Sequence, residues 1–137
     1  MRMKSIFLVI ALLAIVLTNA KAQTRGDGWP PANILQEYGL TGMPRPVGAN
    51  EPYWRTDAQE ADLGVFDVKE LLIGFYGTNE TNNAIVNWFI SNGWKQLDDE
   101  RYFIKGEFAV FYRFQMGTTG RINVGKAEKD WWGWDEL

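Results

Sequence analysis

The 137-residue chain has no cysteine and no histidine, and past its first 22 residues it has neither a long apolar run nor a basic cluster. Each absence closes a class of function. Without an imidazole or a thiolate there is no Ser-His-Asp triad, no Cys-His pair and no ordinary zinc or copper site, so neither a metal nor a cofactor is expected. A net charge of −3 with no basic stripe argues against a phosphate backbone as the partner, and no nucleic acid is expected. The missing cysteine also leaves no disulfide to hold a small exported domain, so packing must carry stability, and it leaves no thiol for lipid attachment.

What is present begins with "MRMKSIFLVIALLAIVLTNAKA". Arg2 and Lys4 form a positive start, Ile6 to Leu17 an apolar core too short for a comfortable membrane span, and Ala20-Lys21-Ala22 a small-x-small cleavage pattern. Residues 1–22 therefore read as a signal peptide, and the mature chain is expected to begin at Gln23. Removal of Arg2, Lys4 and Lys21 lowers the net charge from −3 to −6 and leaves 115 residues, enough for one modest core. The expected product is bacterial, periplasmic or secreted, not a lipoprotein, and without a membrane span after cleavage. Residues 23–28 read as a flexible leader, 29–127 as a single domain and 128–137 as a tryptophan-rich tail.

Within the domain, "PPANILQEYGL" has proline at a first helical turn, apolar Ile34, Leu35 and Tyr38, and Gly39 as a stop, which predicts a short helix over about 31–38. "TGMPRPVGANEPYW" carries three prolines and reads as extended coil anchored by Trp29, Met43, Tyr53 and Trp54. "VKELLIGFY" alternates, with Leu71, Ile73 and Phe75 on one face, and reads as a central strand. A polar cap at Thr78 or Asn79, a stripe at Ile85, Trp88 and Phe89, and Gly93 as a stop predict the main helix over about 79–92. The remainder parses as strands broken at Asp98-Asp99, Lys105-Gly106 and "MGTTG". Phe108, Val110, Tyr112, Phe114, Ile122 and Val124 should face the helix, with Ala109, Phe111, Arg113, Gln115, Arg121 and Asn123 opposite. These elements predict a two-layer α+β sandwich: an antiparallel sheet of about four strands with the main helix on one face.

The order "GWPPANILQEYGL", "MPRPVG", "LLIGFYG", a helix closed by "NGW", then "YFIKGEFAVFYRF" and "INV" resembles a family of small exported bacterial domains of unknown function. The resemblance covers most of residues 29–124 and implies the same strand, helix and hairpin order. Many members look like lipoproteins, and the tryptophan tail lies outside the shared pattern.

Two functions remain open. One is a non-enzymatic binding module for a protein, peptide or glycan, using the far sheet face and the tail: Phe111, Arg113, Arg121, Asn123, Trp131, Trp132 and Trp134. The other is a carboxylate-dependent, glycosidase-like hydrolase with its acids at Asp98, Asp99, Glu100 and Glu107, which would have to be held a fixed distance apart. In the tail "DWWGWDEL", Trp131 and Trp134 are expected on one side of an extended chain, against the face bearing Phe111 and Arg113. An arginine, Arg113 or Arg121, is expected over one of those indoles. Gly133 would supply any bend, and Trp132 would point away, the first candidate for a partner contact.

Overall fold

A computed structural model describes residues 24–56, 70–115 and 117–137. The signal peptide expected over 1–22, Gln23 and the Val68 start of the predicted central strand lie outside the described residues. Seven strands form one sheet: β1 (Arg25–Asp27), β2 (Asn50–Arg55), β3 (Leu71–Tyr76), β4 (Lys95–Gln96), β5 (Tyr102–Lys105), β6 (Phe108–Gln115) and β7 (Thr119–Lys126). Their order is β1-β2-β3-β7-β6-β5-β4, and every pairing is antiparallel. Two helices accompany them, the six-residue α1 (Ala32–Glu37) and the 13-residue α2 (Asn79–Ser91).

This architecture corrects the four-strand α+β sandwich expected from sequence: it is a mostly β fold, a seven-stranded antiparallel sheet with one main helix. The three additional strands are ones that local patterning conceals. β1 lies in the glycine-rich stretch read as a leader and is held only by its partner, through the register Arg25↔Arg55 to Asp27↔Tyr53. β2 contains Pro52, which argues against a regular strand. The sheet tolerates it because the register shifts between Asn50 and Tyr53 and Glu51 takes a positive φ of 49°, the signature of a bulge. β4 is a two-residue stub.

The main helix ends as its sequence requires. Thr78 caps it reciprocally with Thr81, Thr81 N–H donating to Thr78 Oγ1 and Thr78 N–H donating to Thr81 Oγ1. At the other end Gly93 adopts φ 86°, its N–H donates to the Ile90 carbonyl and the Trp94 N–H donates to that of Phe89. That Schellman arrangement brings Trp94 back edge-on to Phe89, with ring centroids 5.4 Å apart. Phe89 is fully buried and also stacks on Phe103 at 4.7 Å, so one side chain joins the helix, its exit turn and β5.

The principal core lies between the sheet and a layer made by α1, the coil 40–49 and α2. It contains Leu40, Met43, Trp54, Ile73, Phe75, Ile85, Phe89, Phe103, Val110, Tyr112, Ile122 and Val124. Trp29 pins the coil by donating its indole N–H to the Met43 carbonyl at 3.0 Å, and Arg45 folds onto the Ala49 carbonyl. Trp88, expected at the centre of the contact, is only half-buried and packs edge-on to Phe89 from the flank. Truncating Phe89 to alanine should therefore cost about 3–5 kcal/mol in denaturant unfolding, and Trp88→Ala clearly less. Equal losses would mean that the helix is rotated from this orientation.

Candidate functional site

The sheet face away from α2 is divided into two unlike halves. Over β4, β5 and the first half of β6, a second apolar cluster of Leu97, Tyr102, Ile104, Ala109, Phe111 and Ala127 is capped by Trp131 and, partly, Trp134. The tail is not extended. From Glu128 onward it turns with i to i+3 bonds, Trp131 N–H to Glu128 O, Trp134 N–H to Trp131 O and Leu137 N–H to Trp134 O, and Trp132–Glu136 is a 3₁₀ helix. Three residues per turn bring positions 131 and 134 together, and their rings meet edge to face at 5.5 Å. Trp134 Nε1 donates to the Glu128 carbonyl at 2.8 Å, closing the turn.

Gly133 has a role other than bending the chain: a Cβ there would fall within the Trp131 ring, so glycine makes room for the indole. The tail also reaches the short edge strand, where the Lys95 ammonium donates to the Glu136 carbonyl and the Asp98 N–H donates to Glu136 Oε1 at 2.8 Å. Trp132 is the exposed ring of the three, 47% accessible, edge-on to Tyr102. The arginine expected over an indole lies elsewhere. Arg113 sits over the Phe111 ring, 5.4 Å from its centroid, and Arg101 lies at the same distance.

The other half of this face, over β2, β3, β7 and the second half of β6, is uncovered by the tail. Tyr53, Gly74, Arg121 and Arg113 stand opposite one another across four strands, followed by a row of Tyr76, Thr119 and Gln115. A Cβ at position 74 would collide with the Tyr53 ring, so Gly74 is what lets that ring lie across the sheet. Tyr53, Tyr76, Arg113, Gln115, Thr119 and Arg121 line a cleft of about 360 Å³ together with the acid Glu51, in the size range of small ligand sites. Tyr53 and Tyr76 are 46% and 56% exposed at its rim. Arg113 and Arg121 are paired across β6 and β7, a like-charge opposition, and Arg113 Nε is buried without a hydrogen-bond partner among the described residues. An anionic group beside Arg113 would satisfy that donor.

Between the halves lies a pair that sequence reading missed. Glu70 is 1% exposed and accepts a hydrogen bond from Asn123 Nδ2 at 3.0 Å. Burial pushes its carboxyl up to about 7, against the lowering effects of the Asn123 bond and the nearby Arg55 charge. Asn123, a candidate ligand contact by sequence, is thus committed to the interior, as Phe111 is to the cluster under Trp131. No local pattern marks Glu70, because its burial depends on strands far apart in the chain.

The acids proposed for hydrolysis are not assembled into a site. Asp98, Glu100 and Glu107 are exposed. Asp99 is gripped by Arg101 through two side-chain hydrogen bonds of 2.9 and 2.7 Å, which hold its carboxyl below the usual range, the opposite of a general acid. Glu107 pairs with Lys126 at 3.5 Å. It is separated from Asp99 by the length of β5, roughly 13 Å, beyond the spacing that glycosidases use. Among the described residues no group of three or more acidic side chains is placed to hold a metal ion, and no helix is long and apolar enough to cross a membrane. Compared with known proteins, the chain matches no family model, no curated protein and no solved structure.

Two measurements check this division. Deleting residues 131–137 exposes Leu97, Tyr102 and Phe111, and should lower unfolding free energy by about 2–4 kcal/mol once the entropy of ordering the tail is subtracted; an unchanged melting curve would show that the tail contributes nothing to the fold. Glu70 has a native pKa above its ordinary value of 4.5, so its stabilising contribution is complete below that value and is lost as pH rises through about 7. Glu70→Gln should accordingly raise the melting temperature more at about pH 8 than at about pH 5. The same shift at both would contradict the assigned ionisation.

Proposed function

We propose that the protein is an exported, non-enzymatic binding module of a bacterium, periplasmic or secreted, which holds an anionic group of a protein, peptide or glycan ligand in the uncovered half of the far sheet face. The observation that supports this reading is the opposition of Arg113 and Arg121 within a cleft rimmed by the exposed rings of Tyr53 and Tyr76. The guanidinium fork of Arg113, with Arg121 beside it, suits a carboxylate or a sulfate, and flat aromatic walls suit a sugar or peptide plane next to it. Two arginines against the single acid Glu51 leave the cleft net positive on an acidic chain, so it favours an anion locally while the rest of the surface repels one. A carboxylate-dependent hydrolase is the weaker reading, because its acids are solvated, paired and far apart.

The tail serves this reading as scaffold. By closing the lower half of the face it confines the open surface to the arginine and tyrosine rows, leaving Trp132 as an additional exposed ring. Immobilised mature protein is expected to retain a ligand from culture supernatant or envelope extract, and the double variant Arg113→Ala/Arg121→Ala to lose it while melting within a few degrees of wild type. Undiminished capture by a folded double variant would remove the cleft from the binding surface.

A further inference from the structure

Strand β6 outruns its neighbour. It pairs with β5 only from Phe108 to Phe111, the last bond being Tyr112 N–H to the Arg101 carbonyl at 2.8 Å, after which the chain before β5 has turned away through residues 97–101. On its other side β6 stays paired with β7 to Gln115. Backbone groups along an inner strand point alternately to its two neighbours. Since Tyr112 bonds toward β5, the Phe114 N–H and C=O point the same way, and no backbone group meets them among the described residues.

They open instead into a groove of about 420 Å³ that straddles the edge of the sheet. On the helix side it is walled by Asn82 and Val86 of α2 with Tyr112 and Phe114, and the Tyr112 hydroxyl, bonded to Asn82 Oδ1 at 2.7 Å, closes its floor. On the far side it is walled by Arg113 and Arg101, with Gln96 and the exposed Glu100 from the chain before β5. Arg101 is already held by Asp99, so Arg113 is the cation left for a ligand.

From this geometry we infer that the overhanging edge of β6 receives an extended peptide segment of a partner protein as an added antiparallel strand, paired through the Phe114 N–H and C=O. The inference rests on the reading of this end of the sheet as a binding surface and selects a peptide over a glycan. Successive side chains of such a segment fall on opposite sides of the sheet. Those on the helix side meet Val86 and Phe114 and are apolar; on the far side, where Glu100 lines the groove with the two arginines, the residue that approaches Arg113 is acidic. The recognised class is therefore a strand with an apolar helix-side face and an acid set against Arg113. The arrangement is otherwise a liability, since an uncovered strand edge invites indiscriminate pairing, and this one carries neither lysine nor proline over Tyr112 to Gln115.

The probe is a blocked heptapeptide of alternating valine and glutamate, titrated into the ¹⁵N-labelled mature protein. The expected result is a shift of the Phe114 amide on binding, about tenfold weaker affinity when the peptide's pairing-side nitrogens are methylated, and a comparable loss for Arg113→Ala. Equal affinity of the methylated peptide, an unmoved Phe114 amide or no binding at millimolar concentration would overturn strand addition. Shifts confined to Tyr53, Tyr76 and Arg121, with Phe114 unmoved, would overturn it while leaving the anion cleft standing. A failure of the cleft reading itself shows separately, as capture undiminished in the double-arginine variant.

Discussion

Strand β6 is shared by everything the protein builds, and its pleat is the constraint on which the rest depends. Because successive side chains leave a strand on opposite faces, Val110 and Tyr112 enter the main core while Ala109 and Phe111 enter the second cluster. Arg113, one step further on that second face, escapes the tail and reaches the cleft. A slip of one residue in the β6-β7 register would turn one of the two strands over, placing its arginine under α2 and its core side chains in water. The pairing of Val110 with Val124 and of Tyr112 with Ile122 is thus what assigns the arginines to a surface.

A seven-stranded sheet covered by helix and coil on one face has a second face to manage. Leaving it wet would expose the apolar patch of Leu97, Tyr102, Ile104 and Phe111; burying it all would need another layer, which the described residues do not supply. The tail is an intermediate solution. Three indoles in four residues deliver large aromatic area at small entropic cost, and the 3₁₀ turn, with glycine at 133, directs two of them inward. The Trp131 indole N–H is buried without a partner among the described residues, a polar group set against the packing. What the tail does not reach stays available, and there the side chains change from apolar to tyrosine and arginine.

The interior itself carries a concession. Glu70 lies on the boundary between the covered and uncovered halves, bonded to Asn123 and near Arg55, and its raised pKa reports the free energy of keeping a carboxyl out of water. Glu70 is too deep to touch a ligand.

The elements legible in the sequence are those whose stability is local. The main helix shows its cap at Thr78, its stripe at Ile85 and Phe89 and its stop at Gly93, because capping and periodicity are properties of neighbouring residues. The two faces of β6 and β7 are legible for the same reason. β1 and β2 were not, since Arg25–Asp27 and the proline-containing Asn50–Arg55 have no strand pattern of their own and become strands only where β3 offers an edge. Of the candidate site, residue types and face could be read, placing Arg113 and Arg121 opposite α2. Only the tertiary structure decided that Phe111 and Asn123 are sealed in, that Glu70 joins them and that Tyr53 and Tyr76 complete the cleft. Burial on that face is settled by how far a seven-residue tail can reach across the sheet, and no run of neighbouring residues encodes that distance.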